Sequence, residues 1–291
     1  MSKKLVGAVL TGVLMLGLAG CGAKTEPAPA TPAPTAPAKA EPISGKITAS
    51  GSTALLPLVQ AAKEQFEQKN DKVTVNISGG GSFTGLTAVG AGNVQIGNSD
   101  VEATGDTAKD LVDHKVAVAP FVIIVNKDVT TTDVTLEQLA KIFKGEITNW
   151  KDAGGKDAKI TIVSRAQSSG SRATIVATVL KGNGDISKDA LVQDSNGKVL
   201  EGVTGMPGAI GYVDAPYYKA DKVNMLKVGG VAYSAEAVTG GKWPIYAYEH
   251  MYTKGQATGA TKAFLDYVLS SDFQATGVEK LGFIPVTKMG K

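Results

Sequence analysis

The sequence contains a single cysteine, Cys21, and only two histidines, His114 and His250. One cysteine cannot form an internal disulfide, and the lack of a His/Cys cluster argues against a bound metal. Neither histidine belongs to a Ser/His or Cys/His nucleophile pattern. The sequence also lacks a Walker motif, a G-x-G-x-x-G fingerprint and a G-x-S-x-G elbow. These absences predict a protein that is not an enzyme and binds no metal or cofactor.

The first twenty residues are typical of an export signal. Lys3 and Lys4 precede an apolar stretch, residues 5–18, that is too short to span a membrane comfortably. The stretch ends in Leu18-Ala19-Gly20-Cys21, which resembles a bacterial lipobox and implies that Cys21 is acylated, for example with palmitate. Two or more acyl chains anchor a protein firmly. We therefore expect residues 1–20 to be a lipoprotein signal peptide and the protein to be extracytoplasmic, lipid-anchored to the cell membrane. The alternative is an ordinary signal peptide with a chance cysteine.

Residues 21–43 form a low-complexity segment after the leader. They are almost entirely Ala, Pro, Thr, Lys and Glu, a composition that favours extended polyproline II and cannot form a core. At about 3.1 Å per residue the segment could reach roughly 70 Å. We expect a tether that ends near Ser44, where the folded part begins.

The chain also lacks a strong charge of either sign. Its 30 basic and 27 acidic residues give a formal net charge of +3. Without Lys3 and Lys4 of the leader, 28 basic residues face 27 acidic ones, a net charge of +1. A nucleic-acid surface needs clustered Lys and Arg, so we expect no nucleic-acid partner. An anionic ligand would have to be held by local geometry.

Hydrophobic periodicity predicts alternating strands and helices after Ser44. The predicted strands are 46–49, 72–77, 94–97, 116–126, 159–163 and 243–251, and the predicted helices are 55–69, 83–91, 136–143, 172–181 and 260–269. Thr135 and Gln138 have capping-box spacing, and Gly145 ends that helix. The alternation predicts an α/β fold in which helices cover mostly parallel sheets. The chain is long enough for two lobes.

Three loops share one pattern: a strand, a Gly/Ser-rich turn and then a helix. They are residues 49–53, 78–82 and 164–172. Helix N-termini expose unpaired N–H groups, glycine permits close approach of the backbone, and Ser or Thr adds a hydroxyl donor, so such loops can cradle an anion. Arg165 and Arg172 flank the third loop, and a guanidinium fork suits an oxyanion. For each loop taken alone, an ordinary capped helix or turn is the alternative.

From about residue 44 to residue 291 the sequence resembles the phosphate-binding protein family of ABC-type phosphate importers. The matching stretches are 50–53, 80–85, 97–100, 142–150, 165–172 and 208–212. The resemblance implies a two-lobed, periplasmic-binding-protein-like α/β fold (type II) with the ligand in the cleft between the lobes. It also implies capture of inorganic phosphate and its delivery to the permease subunits of an ABC importer.

The resemblance further implies a phosphate site of eight residues. Asp100 matches the carboxylate that accepts the hydrogen bond of the phosphate proton, and Arg165 matches the charged donor. The other matching positions supply hydroxyl or backbone donors: Thr53, Ala54, Ser82, Ser169, Gly170 and Ser171. The sequence has Gln167 where the family often has an acid, which leaves Arg165 less neutralised. It has Ser171 where threonine is usual. Arg172 either compensates or pairs elsewhere.

Two long apolar runs, residues 116–126 and 243–251, fit the crossings between lobes that the family fold implies. They would place residues 44–119 and 247–291 in lobe 1 and residues 120–246 in lobe 2. Simple buried strands are the alternative. The function also leaves alternatives open: another tetrahedral oxyanion as ligand, a phosphate-ester hydrolase, or a surface adhesin on the same fold. Asp100 favours a protonated anion.

Overall fold

The computed structural model describes residues 42–290. The predicted signal peptide, Cys21 and the predicted tether up to residue 41 lie outside the described residues. Across residues 42–290, every helix is too short or too polar to span a bilayer.

The described part is a mixed α/β structure of eleven strands and eight helices. The strands are β1 Gly45–Gly51, β2 Val73–Ser78, β3 Ile96–Ser99, β4 Leu111–Val125, β5 Asp133–Val134, β6 Thr161–Arg165, β7 Leu191–Gln193, β8 Ala209–Asp214, β9 Asn224–Met225, β10 Lys227–Val228 and β11 Tyr246–Lys254. The helices are α1 Leu56–Lys69, α2 Ser82–Gly90, α3 Leu136–Lys144, α4 Gly170–Thr178, α5 Asn196–Gly205, α6 Ala235–Thr239, α7 Gly259–Leu269 and α8 Ser271–Phe273.

Eight strands follow the order β2-β1-β3-β11-β4-β8-β6-β7, with β9 paired to β4 and a separate β5–β10 pair. The ladders β1–β2, β1–β3, β6–β8 and β6–β7 are parallel. The ladders that involve β4 or β11 are antiparallel. The expectation of mostly parallel sheets therefore holds for the outer strands only. In the middle of the sheet, the long strands β4 and β11 are antiparallel to each other, β11 is antiparallel to β3, and β4 is antiparallel to β8.

Strand β4 changes partner halfway along its length. Residues 111–120 pair with β11, and residues 121–125 pair with β8. The change falls between Pro120 and Phe121, where the Phe121 N–H donates to Ile245 O at 2.8 Å. One continuous strand thus joins the β2-β1-β3-β11 group to the β8-β6-β7 group.

The second half of β4 is buried on both faces. Phe121, Ile123 and Val125 belong to the main core, whereas Val122 and Ile124 belong to a second cluster with residues of β6, α5 and β8. A strand covered on both sides needs a continuous apolar run, since alternate side chains point to opposite faces. This explains the apolar run that the sequence shows at residues 116–125.

Local sequence signals place most helix ends correctly. Thr135 accepts a hydrogen bond from Gln138 N, Gln138 bonds back to Thr135 N, and Gly145 ends α3 in the left-handed conformation. Helix α4 begins at Gly170, two residues before the predicted start, because the Ser169 side chain caps it by accepting from Arg172 N. It ends at Thr178, before the predicted end at Lys181, which has a positive φ of 52°.

Candidate anion-binding site

All three predicted loops join a strand to a helix, as expected. Loop 49–53 connects β1 to α1, loop 78–82 connects β2 to α2, and loop 164–172 connects β6 to α4. The first two loops follow the parallel strands β1 and β2 and so lie at the same edge of the sheet. The third loop follows β6 in the other group of strands and meets the second loop through the bond from Phe83 N to Ser168 O.

The N-termini of α2 and α4 touch each other directly. The Phe83 N–H donates to Ser168 O at 3.1 Å. A Cβ on Gly170 would lie 2.2 Å from Ser82 Oγ, and a Cβ on Gly81, whose φ is 96°, would lie 2.4 Å from Ser168 O. Only glycine fits at these two positions. The two helix ends therefore come as close as backbone contact allows.

Asp100 lies between these two helix ends and is only 4% exposed. Its backbone N–H donates to Ser82 Oγ at 2.9 Å, and its Oδ2 accepts from Ser171 Oγ at 2.9 Å. The other carboxylate oxygen, Oδ1, is buried without a hydrogen-bond partner. An unpaired buried acceptor is costly, so Asp100 has acceptor capacity left for a further donor.

Arg165, at the end of β6, is 2% exposed. Its Nη2 donates to Asp194 O at 3.0 Å, whereas Nε and Nη1 are buried without partners. Burial lowers the pKa of the Arg165 guanidinium, and the nearby Asp100 carboxylate opposes that shift. Arginine remains charged in proteins. Two of its donor groups are thus free for an anionic acceptor beside Asp100.

Thr53 links the first loop to residues on the other side of the site. Its Oγ1 accepts from Asn196 N at 3.3 Å and from Asn196 Nδ2 at 3.2 Å. Its carbonyl oxygen accepts from Tyr217 Oη at 2.7 Å. Burial raises the pKa of the Tyr217 phenol, so the hydroxyl keeps its proton and can donate. Ala54, the neighbouring predicted residue, is completely buried.

Arg172 does not compensate for the missing acid of the third loop. Its Nη2 pairs with Asp185, and its Nη1 donates to Gln167 Oε1 at 3.0 Å. Gln167 Nε2 in turn donates to Asp185 Oδ2 at 3.3 Å. Arg172 and Gln167 therefore belong to a small polar network around Asp185, and Arg165 is the arginine that faces Asp100.

Sequence reasoning missed several buried polar residues near the site. Asn196, Asp214 and Glu249 are all fully buried, and Asn98 is buried with both side-chain polar atoms unpartnered. The segment Asp194-Ser195-Asn196-Gly197 joins β7 to α5 and has the same Ser/Asn/Gly character as the three predicted loops, so it could have been recognised. Glu249 could have been noticed as an acid within an apolar strand.

The site contains polar and charged groups of both signs but lacks a metal-binding arrangement. Within residues 42–290, no three or more His, Cys, Asp or Glu side chains are placed to hold a metal ion. Arg165 and the helix N-termini offer donors, while Asp100 offers an acceptor. Such a set complements an oxyanion that carries at least one proton.

Comparison with known proteins identifies the family to which the chain belongs. A family model described as the PBP superfamily domain matches residues 36–272. The phosphate-binding protein PstS of Bacillus subtilis is 48% identical over 249 residues, which cover 84% of this chain and 82% of that protein. The chain belongs to the PstS family. Within this family, PstS of Borreliella burgdorferi is 28% identical over 251 residues and matches 82% of the chain and 90% of its own length.

Solved structures related to the PstS family confirm the fold. A Clostridium perfringens protein, described as a phosphate ABC transporter substrate-binding protein and solved with bound phosphate, superposes with a TM-score of 0.79 at 30% identity. The match covers 83% of this chain and 100% of that one. An ABC-type phosphate transport receptor from Vibrio cholerae matches with a TM-score of 0.68 and 26% identity over 83% of this chain and all of that one. The predicted two-lobed, periplasmic-binding-protein-like α/β fold is thereby confirmed.

Proposed function

We propose that this chain is a solute-binding protein that captures inorganic phosphate outside the cytoplasm and delivers it to the permease subunits of an ABC-type importer. The observation that carries the proposal is the presence of unused groups on both Arg165 and Asp100. A buried guanidinium with two free donor groups interacts electrostatically with a buried carboxylate that has one oxygen without a donor. The names of the PstS relatives support the same ligand.

In this proposal eight residues surround the phosphate. Arg165 donates to one phosphate oxygen, and Asp100 accepts from the phosphate hydroxyl. The remaining contacts come from hydroxyl and backbone N–H groups at helix N-termini: Thr53, Ala54, Ser82, Ser169, Gly170 and Ser171. Charge-assisted hydrogen bonds to a phosphate are about twice as strong as neutral ones.

The proposed role involves no chemistry on the ligand. The relatives are named as phosphate-binding proteins, and the hydroxyl groups of Ser82 and Ser171 both form hydrogen bonds with Asp100. Ser171 donates to Asp100, but Asp100 also faces Arg165, so its charge is already balanced by a cation. Binding and release of the anion therefore account for the eight proposed ligand residues.

Calorimetric titration of the purified protein tests this function directly. After exhaustive removal of bound phosphate, we expect tight binding of phosphate and arsenate, and binding of sulfate and molybdate weaker by about 10⁴-fold, because only the first two carry a proton for Asp100 near neutral pH. A parallel assay should detect no turnover of a chromogenic phosphate ester.

The two alternatives make different predictions in the same experiments. A hydrolase would release the chromophore, and an adhesin that reuses the fold would bind none of the four anions tightly. Equal affinity for phosphate and sulfate would contradict the phosphate assignment itself.

We further propose that the lobes are residues 44–119 with 247–291, and residues 120–246. The change of partner in β4 at Pro120 and Phe121, next to Ile245, supports these boundaries. Several hydrogen bonds span the proposed boundary: Tyr217 Oη to Thr53 O, Asn196 N and Nδ2 to Thr53 Oγ1, Phe83 N to Ser168 O, and Ser171 Oγ to Asp100 Oδ2. The two crossings would act as a hinge, and these bonds would help to hold the closed cleft.

Membrane attachment through Cys21 is also a proposal. It rests on the lipobox-like residues 18–21 and on a Pro/Ala-rich segment suited to hold a domain away from a surface. An anchored binding protein would stay close to its permease.

Replacing Cys21 with Ala should move the protein from the membrane fraction to the soluble extracytoplasmic fraction. The reason is that acyl chains supply the membrane affinity, and the variant has no other cysteine to carry them. Fractionation with immunodetection measures the shift, and titration should give an unchanged phosphate affinity. Continued sedimentation of Cys21→Ala with membranes would rule out this anchor.

A further inference from the structure

Glu249 lies in β11, within the strand that crosses next to β4. It is fully buried, and neither of its carboxyl oxygens has a hydrogen-bond partner. A buried carboxylate without partners is among the most costly groups a protein can contain. None of the eight proposed phosphate ligands is Glu249, so its presence needs another explanation.

Two further carboxyl groups lie near Glu249. Strands β3 and β11 pair antiparallel, with His250 opposite Ser99. Continuing this register by one residue places Glu249 opposite Asp100. Asp214, at the end of β8, is also fully buried with both oxygens unpartnered. Burial raises the pKa of both Glu249 and Asp214, and the proximity of Asp100 raises them further.

The other elements packed against Glu249 provide no countercharge. Its partner on β4 is Ala117, and α2 contains no charged residue. The one charged residue of α4, Arg172, is paired with Asp185. On the flanking part of β4 and β11, Lys115 pairs with Glu102, and His250 pairs with Asp113. Asp100 and Asp214 are therefore the titratable groups that Glu249 faces.

Only one of the three carboxyl groups has partners suited to a negative charge. Asp100 accepts from Ser171, and its charge interacts favourably with the buried Arg165 guanidinium. Neighbouring buried carboxyl groups cannot all ionise, because their negative charges repel. The carboxyl group with the best hydrogen-bond donors and cations around it loses its proton most easily, and the others tend to keep theirs. The raised pKa values of Glu249 and Asp214 favour the neutral acid form of these two groups.

We propose that Glu249 is a positioning residue for anion recognition: as a neutral carboxylic acid it donates a hydrogen bond to the Asp100 carboxylate and holds it ready to accept the proton of the ligand. The proposal rests on the phosphate-binding function described above. One shared proton satisfies two atoms that otherwise lack partners, Asp100 Oδ1 and a Glu249 oxygen. A carboxylate offers about four lone-pair positions, so Asp100 can accept from Ser171, Glu249 and the ligand together.

Two variants of Glu249 distinguish the effect of its hydrogen-bond donor from the effect of its side-chain size. Glu249→Gln keeps a neutral donor of similar size, so phosphate binding near pH 6 should stay within about threefold of wild type. Glu249→Leu removes the donor and should weaken binding by roughly 10- to 100-fold, as expected for loss of a hydrogen bond to a charged group. Glu201→Gln, at an exposed glutamate paired with Lys198, is the matched control and should leave affinity unchanged.

The pH profile provides a measurement that a purely structural role would not affect. As pH rises through the raised pKa of Glu249, wild type gains a second carboxylate beside Asp100 and its phosphate affinity should fall. Glu249→Gln cannot ionise. Phosphate's own ionisation is common to both proteins, so the affinity ratio of Glu249→Gln to wild type should increase with pH.

Infrared difference spectra and denaturant titrations test the neutral acid without any ligand. The C=O band of a protonated buried carboxylic acid should be weaker in Glu249→Gln than in wild type. Because the folded pKa is raised above the unfolded value of about 4.3, Glu249 stabilises the fold fully below that pH and loses this effect as pH rises through its folded pKa. The stability of Glu249→Gln relative to wild type should therefore increase with pH.

Each outcome decides the proposal. A pH-independent affinity ratio, together with wild-type affinity in Glu249→Leu, would overturn it while leaving phosphate binding intact. Failure of the wild-type protein to bind phosphate would instead overturn the proposed function. Should Glu249→Leu fail to fold, the affinity ratio and the infrared band of Glu249→Gln still decide. An affinity that depends on the choice of monovalent cation, and not on pH, would replace the shared proton with a bound cation and so contradict the proposal.

Discussion

Asp100→Asn is expected to bind sulfate far more tightly than the wild-type protein does, while its phosphate affinity changes much less. Near neutral pH phosphate retains a proton that Asp100 can accept, whereas sulfate has none and places its anionic oxygens against a carboxylate. Sites built to hydrogen-bond a ligand group reject analogues that lack the group by about 10⁴ or more. Asparagine removes the repulsive charge and adds an N–H donor, so most of this discrimination should disappear.

In the structure Asp100 does not cap the turn after β3, which is compatible with its proposed role as a ligand residue. The turn after β3 is closed by Ser99, whose Oγ donates to Val101 O at 2.7 Å and accepts from Val101 N at 3.1 Å. Asp100 is thus free to face Ser171 and Arg165. Asparagine can still accept from Ser171 through its carbonyl oxygen, so the substitution should leave the local structure intact.

Titration of wild type and variant with phosphate and sulfate at one pH and ionic strength measures the change in selectivity. Asp157→Asn is a suitable control, because it removes one carboxylate from an exposed residue that bonds to Asn149. The control should keep wild-type selectivity. Unchanged rejection of sulfate by Asp100→Asn would remove Asp100 from the selectivity mechanism.

Arg165→Ala is expected to weaken phosphate binding by at least tenfold and up to about 100-fold. A hydrogen bond to a charged group contributes about 1.5–3 kcal/mol, and each 1.4 kcal/mol is a factor of ten in affinity. Arg165 offers two donor groups that the protein leaves unused. Its loss also leaves the Asp100 carboxylate without its neighbouring cation, which further disfavours an incoming anion.

Arg172→Ala provides a matched control within the same loop and helix. Arg172 carries the same charge, but its donors are used by Asp185 and Gln167. We expect a small loss of affinity, through a less ordered loop. Isothermal titration of both variants, with circular dichroism to verify folding, distinguishes the two arginines. An equal effect of both substitutions would indicate that only the overall positive charge of the loop matters.

Much of the site could be predicted from local sequence. Each strand–turn–helix unit is encoded by neighbouring residues, such as Ser169, which caps α4, and Gly170, which permits contact with Ser82. The capping box at Thr135 and Gln138 is equally local. The roles of Asp100 and Arg165 came from the family resemblance, and the structure brings their charges together.

Features formed by distant segments could not be predicted in this way. Asn196 reaches Thr53 only because two loops far apart in sequence face each other. The buried contact between Asp100 and Glu249 depends on the register of β3 against β11. The hydrophobic pattern of a strand indicates its burial but not its neighbours, so strand order and the antiparallel sense of β4 and β11 were beyond local reasoning.

The position of β11 between β3 and β4 also determines when the protein can fold. The sheet that begins with β1 near residue 45 stays incomplete until residues 246–254 arrive, because β3 and β4 do not pair directly with each other. Non-local pairing of this kind slows folding, since loop-closure entropy is lost before the stabilising contacts form. During synthesis, β3 and the first half of β4 therefore lack their β11 partner until residues 246–254 have been made.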